Sequence, residues 1–178
     1  MPVTRMAGEV KSVIAAAYDL ATGGRRTVIG EEDLLQALIE SARGGVLLSP
    51  LTPASVREEV VPAVVRARES GGLSSADLAA LESLGLDAET LLSQATSGPG
   101  EPSPGPVRPT GGWGQRMSDA ASVVLARAKD AAVVQGTRTV AVDHVVLALV
   151  ETPSLVTEHL QACGVTPAVV HERLERGA

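Results

Sequence analysis

The 178 residues carry a net charge of −6, are 44% hydrophobic and include no Phe, one Tyr and one Trp. A core drawn from Leu, Val, Ile and Ala favours closely packed helices over a β-sandwich. An acidic chain without a basic stripe is not expected to bind nucleic acid or an anionic membrane surface, and no run approaches the roughly 18 apolar residues of a spanning helix.

In chain order, a first helix is predicted over 5–22, with Val13, Ala17 and Ala21 on its apolar face at a spacing near 3.6. Glu9, Lys11 and Asp19 interrupt this segment, which therefore lacks the apolar region of a signal peptide. A loop and second helix follow in TVIGEEDLLQALIE (27–40). The stretch 43–74 predicts a further helix, with Ser55 and Glu58 fitting a capping box, Pro62 kinking or dividing it, and Gly71-Gly72 marking its stop. Val56, Val60, Val64 and Val65 are expected to pack on the domain itself, a partner surface being the alternative.

In LESLGLDAETLL (81–92), Gly85 suits a left-handed C′ position and Asp87 the next N-cap. The Pro-, Gly- and Ser-rich stretch 97–114 reads as a linker, with Trp113 as an anchor that packs it back, a binding role being the alternative. A long helix is predicted over 118–135, then TVAVDHVVLALVE (139–151) and LQACGVTPAVVH (160–171). Here Gly164 ends a helix, Thr166 caps the next and Pro167 sits in its first turn.

The second half repeats the first. Glu32 and Asp143, Ala37 and Ala148, and Leu38 and Leu149 are each separated by 111 positions, as are Val13 and Val124, Ala17 and Ala128, and Ala21 and Ala132. Gly85 and Gly164 are separated by 79, so the first repeat holds about 32 residues that the second lacks. The expectation is an all-α domain of two pseudo-twofold-related four-helix repeats: repeat one over 1–96 with a helical insertion at about 43–74, the linker 97–114, and repeat two over 115–178.

The motifs carry a resemblance. Ile29-Gly30-Glu31-Glu32-Asp33-Leu34-Leu35-Gln36-Ala37-Leu38 with Ala80-Leu81-Glu82-Ser83-Leu84-Gly85, and Val142-Asp143-His144-Val145-Val146-Leu147-Ala148-Leu149 with Leu160-Gln161-Ala162-Cys163-Gly164, resemble the double Clp-N repeat at the front of Clp-family AAA+ unfoldases, particularly the ClpC type. The first repeat departs by carrying Asp33 where the family has His, and the second by Val142-Asp143 in place of Thr-Glu. No G-x-x-x-x-G-K-[ST] phosphate loop is present. The resemblance therefore implies a stand-alone recognition module without ATPase modules, catalytic residues or cofactors. Its partners would be proteins or peptides: Clp substrates, adaptors or a Clp chaperone.

The resemblance also implies ligand-binding roles for Glu32 and Asp143, as carboxylates that grip the guanidinium of phospho-arginine on marked proteins. Paired, charge-assisted hydrogen bonds would serve that purpose, and a helix N-terminus would suit the phosphate. Both acids equally fit the role of first-turn residues complementing the helix macrodipole. Thr27 and Thr139, in the preceding loops, could donate to a phosphate, cap the helix or stay solvated, and Arg25 and Arg26 are expected to be solvated loop residues. A second reading is a sponge for cyclic-peptide antibiotics in an apolar groove, and a third a dimerisation module with 56–65 as its interface. His144 is expected to hydrogen-bond backbone near a loop, and Cys163 to be a small core residue. His144, His159 and His171 are read as sharing no ligand spacing with one another or with Cys163, so no metal site is expected. The single Cys163 can form no internal disulfide, which points to the cytoplasm.

Overall fold

The computed structural model describes residues 5–69, 83 and 117–177. The helices of the described residues are joined by short loops and accompanied by two two-residue strands, β1 (Arg5–Met6) and β2 (Thr139–Val140). The first repeat contains α1 (Gly8–Gly23), α2 (Glu31–Glu40) and α3 (Ala42–Leu47). It continues as α4 (Pro53–Ser55), a π-helical turn (Val56–Val60) and α5 (Val61–Glu69). The second repeat contains α6 (Asp119–Val134), α7 (Val142–Glu151), α8 (Leu155–Ala162) and α9 (Pro167–Arg176).

The long helices turn the expected faces inward. Val13, Ala17 and Ala21 of α1, and Val124, Ala128 and Ala132 of α6, are all buried. Alanines on these faces let α1 approach α2, and α6 approach α7, closely enough to compensate for the missing aromatics. At the centre, Leu34, Leu35 and Leu38 of α2 join Val146 and Leu149 of α7 in one core with no measurable exposure.

The pseudo-twofold relation is written in backbone hydrogen bonds. Met6 pairs in parallel with Val140, and Ile29 with Met117. Adding 111 to Met6 and Ile29 gives Met117 and Val140, so the two bridges are the same contact made in opposite directions. Ala7 N–H donates to Val140 O at 2.9 Å, and its counterpart Ser118 N–H to Ile29 O at 2.8 Å. Each repeat thus lays its leading segment against the loop of the other. This register also corrects a detail: Thr139 corresponds to Val28 rather than Thr27, and it lies in β2 rather than in a loop.

The described part of the stretch 43–74 behaves partly as expected. Val56, Val60 and Val64 are buried in this chain's own core, which withdraws them as an intermolecular interface; only Val65 is exposed. The capping box here is Thr52 with Ser55, because Ser55 is the third residue of the helix and not its cap: Thr52 Oγ1 accepts Ser55 N–H at 3.1 Å and Ser55 Oγ accepts Thr52 N–H at 3.0 Å. Pro62 does not end the helix, and the wide π turn lies directly before it. Proline has no N–H to offer Glu58, so the ordinary i→i−4 ladder is interrupted at this point anyway. Gly71, Gly72, Gly85, Asp87, Trp113 and the stretch 97–114 lie outside the described residues.

Gly164 has φ of +80° just beyond α8, Thr166 Oγ1 accepts Val169 N–H, and Pro167 opens α9, all as the sequence suggests. Arg173 of α9 donates to Leu47 O at 2.7 Å and to Ser49 O, tying the second repeat to the carbonyl end of α3.

The turn after each long helix is also matched. Arg25 has φ of 57°, and the residue 111 positions on is Gly136, at 70°. A side chain in the left-handed region costs about 1–2 kcal/mol, whereas glycine's larger unfolded-state entropy costs about 0.5–1 kcal/mol. Arg25→Gly is therefore expected to stabilise the fold by about 0.5–1 kcal/mol, read as a higher urea midpoint at unchanged slope.

Candidate functional site

The two acids singled out in the sequence stand at equivalent places, each the second residue of its helix, yet their surroundings differ. Glu32 is fully buried, and Asp143 keeps 33% of its side chain exposed. The cause lies in the residue that precedes each helix. In the first repeat it is Gly30, and any side chain there would collide with the Glu32 carboxylate, which folds back over it. In the second repeat it is Ala141, and the shorter Asp143 faces outward.

Arg26 closes the first site. Its guanidinium donates from Nη1 to Glu32 Oε1 and from Nη2 to Asp33 Oδ1, both at 2.5 Å. Arg26 is thus an ion-pair partner rather than a solvated loop residue. The second oxygen of Asp33 accepts Gly30 N–H at 2.8 Å. Burial is the main influence on Asp33 and pushes its carboxyl above the ordinary value, against the lowering effects of the Gly30 N–H and Arg26. Because the folded value lies above the unfolded one, its contribution to stability declines as pH rises through the raised value.

The two repeats carry different residues at this position, yet the geometry is conserved between them. His144, the counterpart of Asp33, accepts Ala141 N–H through Nδ1 at 2.9 Å. That bond leaves the proton on Nε2, which lies 3.0 Å from Gln135 Oε1 and donates to it. Asp and His therefore perform the same first-turn capping task.

The second repeat has no counterpart of Arg26, because position 137 is a threonine whose hydroxyl donates to Ala132 O at 3.0 Å. Asp143 is instead gripped from the other repeat by Arg43 of α3. Arg43 donates from Nε to Oδ1 at 2.8 Å and from Nη2 to Oδ2 at 3.0 Å, two parallel bonds in the fork geometry of arginine and carboxylate. These bonds hold the Arg43 guanidinium above its usual pKa. Both acids therefore bind guanidinium groups, and both groups belong to this chain.

Thr27 is exposed and lines an open depression of about 370 Å³ with Arg25, Arg26, Val28, Gly30 and Ser118, next to the start of α2. Thr139 is exposed on β2. Neither threonine hydroxyl bonds to Glu32 or Asp143 among the described residues.

One grouping was missed from the sequence. His159 and Cys163 are four positions apart and share one face at the end of α8, contrary to the expectation of no common spacing. They meet Glu59 from the π turn, and one ligand atom from each lies within 4.8 Å of the others. Cys163 is half-buried against the core rather than enclosed by it.

Residues 116–177, about a third of the chain, match the family model described as the Clp repeat (R) N-terminal domain. Among solved structures, the chain is similar to the N-terminal domain of the caseinolytic protease associated chaperone ClpD from Arabidopsis thaliana. The identity is 13% and the TM-score 0.55, with 99% of this chain and 96% of that chain covered. At such identity the likeness is one of fold. No curated protein sequence matches the chain.

Proposed function

From a chain that carries a Clp N-terminal repeat and has the fold of a Clp N-terminal domain, we propose a non-catalytic protein-binding module of a Clp-type proteolytic system that recognises guanidinium groups on its partners. Arginine-phosphorylated clients are the ligand class this chemistry suits best. The observation that supports the reading is the two-bond grip of Asp143 on Arg43. A carboxylate about a third exposed that already holds one guanidinium can hold another, provided Arg43 swings away. The first turn of α7, whose amides carry the positive end of the helix dipole, favours an anion beside that guanidinium.

Glu32 is a weaker candidate for direct contact. It is enclosed with Arg26 and Asp33, and opening that group would strip three charged side chains of their partners. Its role in this reading is to fix the start of α2, while Asp143 meets the ligand.

Calorimetric titration of the purified protein with free phospho-arginine tests the reading. Saturable one-to-one binding is expected. Arg43→Ala should tighten it by up to about fivefold, because an ion pair about a third exposed is worth at most about 1 kcal/mol to the competitor it releases. Absence of binding in both proteins would overturn the reading and leave the fold assignment untouched.

A further inference from the structure

We propose that Glu59, His159 and Cys163 form a binding site for a zinc-type divalent cation that bridges the two repeats. His159 belongs to α8 and Cys163 is its C-cap residue, whereas Glu59 comes from the π turn of the first repeat. The three ligand atoms already lie within 4.8 Å of one another. Tetrahedral zinc, with bonds of about 2.0–2.3 Å, holds its ligand atoms roughly 3.5 Å apart, so small side-chain rotations complete the set. Glu59, with 61% of its side chain exposed, is free to make them.

Two further observations single out this cluster from a chance grouping of polar residues. His159 Nε2 is a buried atom with no hydrogen-bond partner, and its approach to Glu59 Oε2 at 3.6 Å is too long to serve as one. A buried nitrogen left in that condition costs stability unless something coordinates it. The other observation is the spacing: histidine and cysteine one helical turn apart present two ligands on one face, anchored by the Cys163 N–H to His159 O bond at 3.0 Å.

The donor set defines the ion. One thiolate, one imidazole and one carboxylate suit zinc or another borderline transition metal, whereas magnesium and calcium favour oxygen alone. Three protein ligands leave a fourth position for water or for a side chain of a docking partner. Binding requires the Cys163 thiol to lose its proton, which the cation itself promotes. Because the ligands come from both repeats, the metal would tie the inserted helical segment to α8 and stabilise the folded over the unfolded chain. This inference is independent of the phospho-arginine reading and shares no residue with it.

The test is titration of the full chain, reduced and metal-free, with Co(II) as a spectroscopic probe and then with Zn(II). Expected are one equivalent bound, tetrahedral d–d bands, a thiolate-to-metal charge-transfer band, displacement by Zn(II), and a higher melting temperature with Zn(II). Cys163→Ser should remove the charge-transfer band, and Glu59→Gln, at an exposed position where folding is not at risk, should weaken binding by about tenfold, the lower end of the loss for an impaired metal site. His171→Ala, which removes a histidine that meets Glu151 and is not one of the three ligands, should leave binding unchanged. Absence of saturable binding by the native protein, or affinity unchanged from it in both Glu59→Gln and Cys163→Ser, would reduce the cluster to an ordinary Glu–His ion pair beside a cysteine and overturn the proposal.

Discussion

Gly30→Ala is expected to destabilise the protein by about 2–3 kcal/mol, while Ala141→Gly, at the matching position of the second repeat, should cost under about 1 kcal/mol. A methyl group at position 30 would lie within 2.4 Å of the Glu32 carboxylate, so this fully buried group must shift to admit it. Moving it breaks the ion pair to Arg26 and disturbs Asp33, whose own bond to the Gly30 N–H closes the first turn of α2. Uncoupling a buried charge typically costs several kcal/mol, and the partial exposure of Arg26 sets the estimate at the lower end. Thermal melting should show a fall of roughly 5–10 °C for Gly30→Ala. Equal effects at positions 30 and 141 would mean that the glycine serves the turn and not the carboxylate.

Asp143→Ala is expected to weaken phospho-arginine binding by roughly 5- to 30-fold, which corresponds to about 1–2 kcal/mol for two charge-assisted hydrogen bonds less the ion pair to Arg43 that binding gives up. Stability should fall by no more than about 1 kcal/mol, because the ion pair it removes is about a third exposed. Calorimetry on the variant measures the first quantity and urea unfolding the second. Glu32→Ala should show the opposite balance, losing more stability than Asp143→Ala. If the two variants lose binding equally with their folds intact, the ligand reaches both acids and the inequality drawn from burial is wrong.

The helices were legible in the sequence because their cores repeat at 3.6 residues. Val13, Ala17 and Ala21 turn inward for the same reason as Val124, Ala128 and Ala132. The twofold relation was legible too, as a separation of 111 positions between matching residues, although TV before α2 and TV before α7 invited a one-residue slip that only the bridge register resolves. The occupancy of the acids was not legible. Arg43 lies 100 positions from Asp143 and at the edge of a segment that looked like an insertion, so nothing local joined them. Arg26 was closer to its partners, but short-range charge pairs are so common in loops that proximity alone does not distinguish them. The pair His159 and Cys163 was visible from spacing, whereas Glu59 reaches it only through the packing of the π turn beside α8.

The reciprocal bridges carry a consequence for how the chain acquires its structure. Met6 finds Val140, and Ile29 finds Met117, only when chain segments far apart in sequence are brought together, so each bridge carries the entropy cost of closing a long stretch of chain. The closure penalty grows only with the logarithm of loop length, about 0.6 kcal/mol for each doubling. Residues added between the two halves are therefore thermodynamically inexpensive as long as the two bridges survive. A chain joined in this manner can lengthen between its halves without loosening them, and neither half cut free would keep the neighbour that pairs its first residues.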